Sequence, residues 1–86
     1  MYVIGLDIGG TKIEGILASA TSASLLPDVI KKVRMPTNAA AGRHAVISNI
    51  VAVIAALHSH GRGSVRGFKL SGIGIGTAGF LKKGRL

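Results

Sequence analysis

Ile4-Gly5-Leu6-Asp7-Ile8-Gly9-Gly10-Thr11-Lys12-Ile13-Glu14-Gly15 decides the fold. Residues 2–8, YVIGLDI, are β-branched and apolar and stop at Gly9-Gly10. That is the pattern of a short buried strand ending in a tight turn. Residues 13–18, IEGILA, form a second apolar run, separated from the first only by Gly9-Gly10-Thr11-Lys12. Two such runs around so short a turn pair as an antiparallel hairpin.

Further along, Ser, Thr, Pro and Asp in residues 20–28 read as a turn. Residues 29–35 read as a third strand, with Val29, Val33 and Met35 on one face and basic residues mostly on the other. A lysine-rich face suits an edge strand, where charge discourages wrong pairing. Residues 36–42 form a connector. A helix is expected from about residue 43 to 59, because Ile47, Ile50, Ile54 and Leu57 recur at three- and four-residue spacing. Val46, Val51 and Val53 widen that stripe around most of the circumference, which predicts burial on more than one side. His58, His60 and Gly61 suit the C-terminal end of the helix, and residues 61–67 a basic glycine-rich loop. Residues 69–76, KLSGIGIG, read as a fourth strand with one bulky and one bare face. The order is three strands, a helix and a strand: an α/β unit.

Composition bounds the rest. The chain has 86 residues, one small domain's worth, in which about 60–65% of the unfolded surface can be buried. With no cysteine there is no disulfide and no thiolate zinc site, as fits a cytoplasmic protein. No signal peptide is expected, because Asp7 interrupts the first apolar run. The longest apolar run, residues 50–57, falls well short of a bilayer span, so the mean hydropathy of +0.50 reads as buried strands and helix. Eleven Lys and Arg face three Asp and Glu, a formal charge of +8. Such a balance attracts phosphates. The cations are scattered, however, and Tyr2, Phe68 and Phe80 are too few to form a stacking platform, which argues against a nucleic-acid partner.

Three glycine patterns compete. Gly74-Ile75-Gly76-Thr77-Ala78-Gly79 fits a dinucleotide fingerprint by spacing, but no helix start and no acid follow it. Gly5 to Lys12 has the five-residue glycine spacing of a P-loop, yet the order is Gly10-Thr11-Lys12 and a strand follows. The third reading keeps the hairpin. Gly9 and Gly10 let backbone N–H groups approach phosphate oxygens, Thr11 adds a hydroxyl and Lys12 a positive charge. Asp7 beside a polyphosphate becomes useful when Mg²⁺ lies between them. A polar hairpin tip with no ligand has the same composition.

The stretch 4–15 closely resembles the first phosphate motif of the ROK family of repressors and sugar kinases, which have the actin/hexokinase-like ATPase fold. Val33-Arg34-Met35-Pro36-Thr37 resembles the family's third strand, and Gly72-Ile73-Gly74-Ile75-Gly76-Thr77-Ala78-Gly79 its fourth strand and following loop. The resemblance implies a mixed sheet with antiparallel β1-β2-β3 and β4 beside β1, forming the incomplete N-terminal part (1–86) of an actin-like ATPase domain. It implies an ATP-dependent hexose kinase with ATP and Mg²⁺ as cofactors and a small sugar as substrate, and it admits a homo-oligomeric parent. Asp7 would position Mg²⁺ through water, Gly9, Gly10, Thr11 and Lys12 would contact ATP phosphates, and Gly79 would lie near the sugar. The family has Pro before that glycine and Val-Asp soon after, where this chain has Ala78 and Phe80-Leu81-Lys82.

The family's catalytic aspartate falls after the fourth strand, and no Asp or Glu follows Asp28 here. Glu14 reads as an outward-facing strand residue. No carboxylate is therefore assigned as the base that takes a sugar hydroxyl's proton, and the chain alone is expected to be inactive. His44, His58 and His60 read as cap and surface residues. Two rival readings remain. One is a sugar-sensing repressor, disfavoured because Met1 leads straight into the first strand without room for a helix-turn-helix. The other is a small basic nucleic-acid module using Lys82, Lys83 and Arg85.

Overall fold

A computed structural model describes residues 1–20 and 27–77. Strands β1 (Tyr2–Ile8), β2 (Lys12–Ser19) and β3 (Asp28–Pro36) are followed by a short 3₁₀ turn (Ala39–Ala41), helix α1 (Arg43–Ser64) and strand β4 (Leu70–Thr77). The sheet runs β3-β2-β1-β4. β1 and β2 pair antiparallel, as do β2 and β3, while β4 lies parallel to β1. This is the expected topology, with β3 the lysine-bearing edge.

Alternation sorts the sheet into two faces. Ile4, Leu6, Ile13 and Leu17 point to one side and meet Val53 and Leu57 of α1, forming the buried core. Gly15 lies directly under the helix: a Cβ there would stand 2.5 Å from Val53 Cγ1 and 2.9 Å from Leu57 Cδ1. α1 can approach β2 this closely only because Gly15 has no side chain. At 22 residues α1 also has the length and apolarity to cross a bilayer, but a core helix passes the same test, and its buried residues Val53, Leu57 and Gly61 pack on the domain.

Four expectations change. The helix does not stop at residue 59 but continues to Ser64. Gly61 is a buried helical residue rather than a cap, because the tip of the Phe68 ring packs against it, with Cζ 2.5 Å from where a Cβ would sit. The left-handed glycine is Gly67, at φ 68°. His58 is likewise inside the helix, with its ring edge on Phe68 at 5.6 Å between centroids. On β3, Val29 is exposed and Ile30 packs on the core instead, because the register with β2 shifts between Leu17 and Ala18.

The fourth correction concerns the helix surface. α1 is buried on one side only: Ile47 and Val51 are 50% and 56% exposed. Ile73 and Ile75 share the helix-side face through their pairing with Ile4 and Leu6, yet are 45% and 58% exposed. The helix sits over β2 and β3, so one helix covers half the sheet and leaves β4 apolar and bare among the described residues.

Candidate phosphate-binding site

The β1–β2 turn is built from Gly9, Gly10 and Thr11, closed by the Gly9 amide donating to the Lys12 carbonyl at 2.8 Å. Neither Gly9 nor Gly10 takes a left-handed φ, but a Cβ on Gly9 would stand 3.2 Å from the Lys12 carbonyl oxygen, so the closed turn favours glycine there. A Cβ on Gly10 would meet nothing within 4 Å. The bareness of Gly10 therefore has no cause within the described residues. Gly10, Thr11 and Lys12 are all exposed, as is Asp7 at the end of β1. Among the described residues no acceptor is found for the Gly10 or Thr11 amide.

The turn's carbonyls are held from behind. Thr37, just past β3 and 4% exposed, donates its Oγ1 to the Gly9 carbonyl at 2.7 Å. Its backbone amide donates to the Thr11 carbonyl at 3.0 Å. Asn49 on α1 in turn donates from Nδ2 to the Pro36 carbonyl at 3.0 Å and, longer, to that of Thr37 at 3.4 Å. The loop is thus fastened to the third strand and the helix, and its tip offers amides. Sequence reasoning quoted Thr37 only as the end of the third-strand motif, with no role at the turn, and did not pick out Asn49. The available signal was a threonine directly after Pro36, where β3 must end.

Asp7 and Glu14 face each other across β1 and β2 on the side away from α1. With Gly5, Ile16, Lys32, Gly74 and Gly76 they line a shallow hollow of about 430 Å³. Glu14 faces away from the helix, as expected. Arg34, its partner on β3, donates to its Oε2 from Nη2 at 2.6 Å and from Nε at 3.0 Å. That hydrogen bond holds the Glu14 carboxyl below the usual carboxylate range, aided by the charges of Arg34, Lys12 and Lys32. Asp7, Gly9, Gly10, Thr11 and Lys12 are thus brought together at one end of the sheet. Gly79, Lys82, Lys83 and Arg85 lie outside the described residues. Gly74 and Gly76 lie within β4 rather than in a strand-to-helix turn, so the dinucleotide fingerprint lacks its required context.

No protein-family model matches the chain, and no curated protein matches its sequence. Solved structures do match in fold. The type II variant of the Aquifex aeolicus Ppx/GppA phosphatase superposes with a TM-score of 0.56 at 14% identity, over 90% of this chain and 26% of that one. A second structure of the Aquifex aeolicus PPX-GPPA enzyme gives 0.54, also at 14% identity, over the same 90% and 26%. These neighbours have the actin-like ATPase fold, and this chain has the fold of part of it. They are phosphatases rather than sugar kinases, and the chain spans about a quarter of their length.

Proposed function

We propose that this chain supplies one wall of a Mg·ATP site, with the β1–β2 turn as its phosphate contact. The observation that carries the reading is the turn's polarity: the Gly9 and Thr11 carbonyls are tied down behind by Thr37, and exposed amides lie at a glycine, Gly10, that the chain's own packing does not require. Phosphate oxygens need donors and are repelled by acceptors, so such a tip suits a polyphosphate. Gly9, Gly10, Thr11 and Lys12 would take the phosphates. Asp7, exposed at the mouth of the turn, fits a water-mediated hold on Mg²⁺, which when bound would offset the charge of the polyphosphate.

The parent activity we assign is phosphoryl transfer from ATP to a hexose in a cytoplasmic ROK-type kinase. The order of the three motifs at 4–15, 33–37 and 72–79, on an actin-like fold, supports it. The turn's amides and Lys12 would stabilise charge on the transferred group. Removal of the sugar hydroxyl's proton falls to residues outside this chain, since Glu14 is committed to Arg34. A phosphatase parent, with water in place of the sugar, is the second reading. The likeness of fold to two Ppx/GppA structures favours it.

The test is a titration of the ¹⁵N-labelled 86-residue chain with a non-hydrolysable Mg·ATP analogue. Amide shifts are expected at Gly9, Gly10, Thr11 and Lys12, with affinity about tenfold weaker or worse in Lys12→Ala. Saturable binding that leaves those four amides unmoved, or no binding at all, would overturn the proposal.

A further inference from the structure

We infer that Thr37 is the positioning residue of this turn: it fixes the Gly9–Gly10 peptide so that the Gly10 amide faces outward. The inference rests on the phosphate-site reading above, and its test separates the two.

A trans peptide points its C=O and the following N–H in opposite directions. Holding the Gly9 carbonyl inward on Thr37 Oγ1, at 2.7 Å, therefore turns the Gly10 N–H toward the solvent side of the turn. This peptide has a glycine on each side and would otherwise be the one most free to flip. A flip would put a carbonyl where the phosphate needs a donor. The second bond, from the Thr37 amide to the Thr11 carbonyl, fixes the other end of the same turn. Thr37 can do this because it is itself held, with Asn49 of α1 anchoring the Pro36 and Thr37 carbonyls. Its burial keeps water from competing for the Gly9 carbonyl. The helix thereby reaches the turn through two successive hydrogen bonds, Asn49 to Thr37 and Thr37 to Gly9.

The experiment compares wild type, Thr37→Val and Thr37→Ser in the full 86-residue chain. Valine keeps the volume and deletes the donor; serine keeps the donor. Inorganic tripolyphosphate with Mg²⁺ is the probe, read by ¹H–¹⁵N shifts. Gly10 backbone order, from ¹⁵N relaxation, is read without any ligand. Thr37→Val should weaken binding roughly five- to tenfold and lower Gly10 order, with helix content unchanged, and Thr37→Ser should restore both to within about twofold. Wild-type affinity and wild-type Gly10 order in Thr37→Val would overturn the inference and leave the phosphate reading standing. A wild type that binds no tripolyphosphate overturns the phosphate reading, while Gly10 order still decides the role of Thr37. Should valine prevent folding, the Thr37 hydroxyl proton in wild type decides it. A slowly exchanging resonance supports the bond, and fast exchange with water refutes it.

Discussion

Gly15→Ala tests the packing of α1 on the sheet most directly. The added Cβ would stand 2.5 Å from Val53 Cγ1, 2.8 Å from Leu6 Cδ2 and 2.9 Å from Leu57 Cδ1. Val53 and Leu57 are fully buried and Leu6 is nearly so, which leaves them little room to withdraw. Overpacking of this kind costs about 1–3 kcal/mol. Alanine returns about 0.4–1 kcal/mol by restricting the unfolded chain. Near the middle of both ranges the net loss is about 1–2 kcal/mol, from a total that for this length is about 4–13 kcal/mol. The melting midpoint, followed by circular dichroism, should fall by roughly 4–16 °C. Val53→Ala removes the nearest obstructing methyl, so Gly15→Ala should cost less in that background than in wild type, with a coupling of at least about 0.5 kcal/mol. A single mutant as stable as wild type, or two strictly additive mutations, would refute a helix seated on Gly15.

The Arg34 bond depresses the Glu14 pKa in the folded state. Its contribution is thus full above the ordinary carboxylate pKa and is lost as pH falls through the folded value. Wild type should lose more stability than Glu14→Gln in melts between pH 7 and pH 3; parallel curves would count against the pair. The 86-residue chain should not phosphorylate glucose, since Glu14 is bonded to Arg34, Asp28 pairs with Ser19 at the far end of the sheet from the turn, and Asp7 is assigned to Mg²⁺; ATP-dependent product formation lost on Asp7→Ala would reverse that. Ile47, Val51, Ile73 and Ile75 leave apolar surface exposed on the helix side. Val51→Lys with Ile75→Lys should lower anilinonaphthalene sulfonate fluorescence without lowering helix content, and unchanged fluorescence would place the dye elsewhere.

How far the sequence carried depended on whether a feature was local. The hairpin was legible because short apolar runs and a two-glycine break are local signals, and β1 spans the same residues in the structure. The lysines of β3 announced an edge. The face of Val29 was not legible, because a register shift against β2 depends on the partner strand. Gly61 read as a helix stop from its intrinsic preference, whereas Phe68, seven residues later, makes it a packing site. The apolar girth of α1 was read as burial on more than one side, but spacing within a helix cannot show how many neighbours cover it, and Ile47 and Val51 stay exposed. Asp7 to Lys12 stood out as candidates because glycine, hydroxyl, cation and carboxylate fall in six residues. Thr37 and Asn49 act on that turn across 28 and 12 residues of chain separation respectively, Thr37 to Gly9 and Asn49 to Thr37. Spacing could not show them.

The glycines themselves separate what this fold needs from what it offers. Gly15 and Gly61 are required by the chain's own packing. Gly72, Gly74 and Gly76 are not: a Cβ on any of them would meet nothing within 4 Å, and none has a left-handed φ. Glycine within a strand costs about 0.5–1 kcal/mol relative to alanine. Three of them therefore weaken β4 with no return inside the described residues. The register places Gly74 beside Gly5 and Gly76 beside Asp7, so the bare strip runs along the open face to the β1–β2 turn. A cause outside the described residues has to be a body that approaches this backbone closely. Gly74→Val tests the point, because valine suits a strand and has open space there. If the glycine serves an outside body, the substitution should raise the melting midpoint of the 86-residue chain by roughly 2–8 °C. A fall in the midpoint would mean that the strip is already covered by the chain itself, and Gly74 would then join Gly15 as a packing glycine.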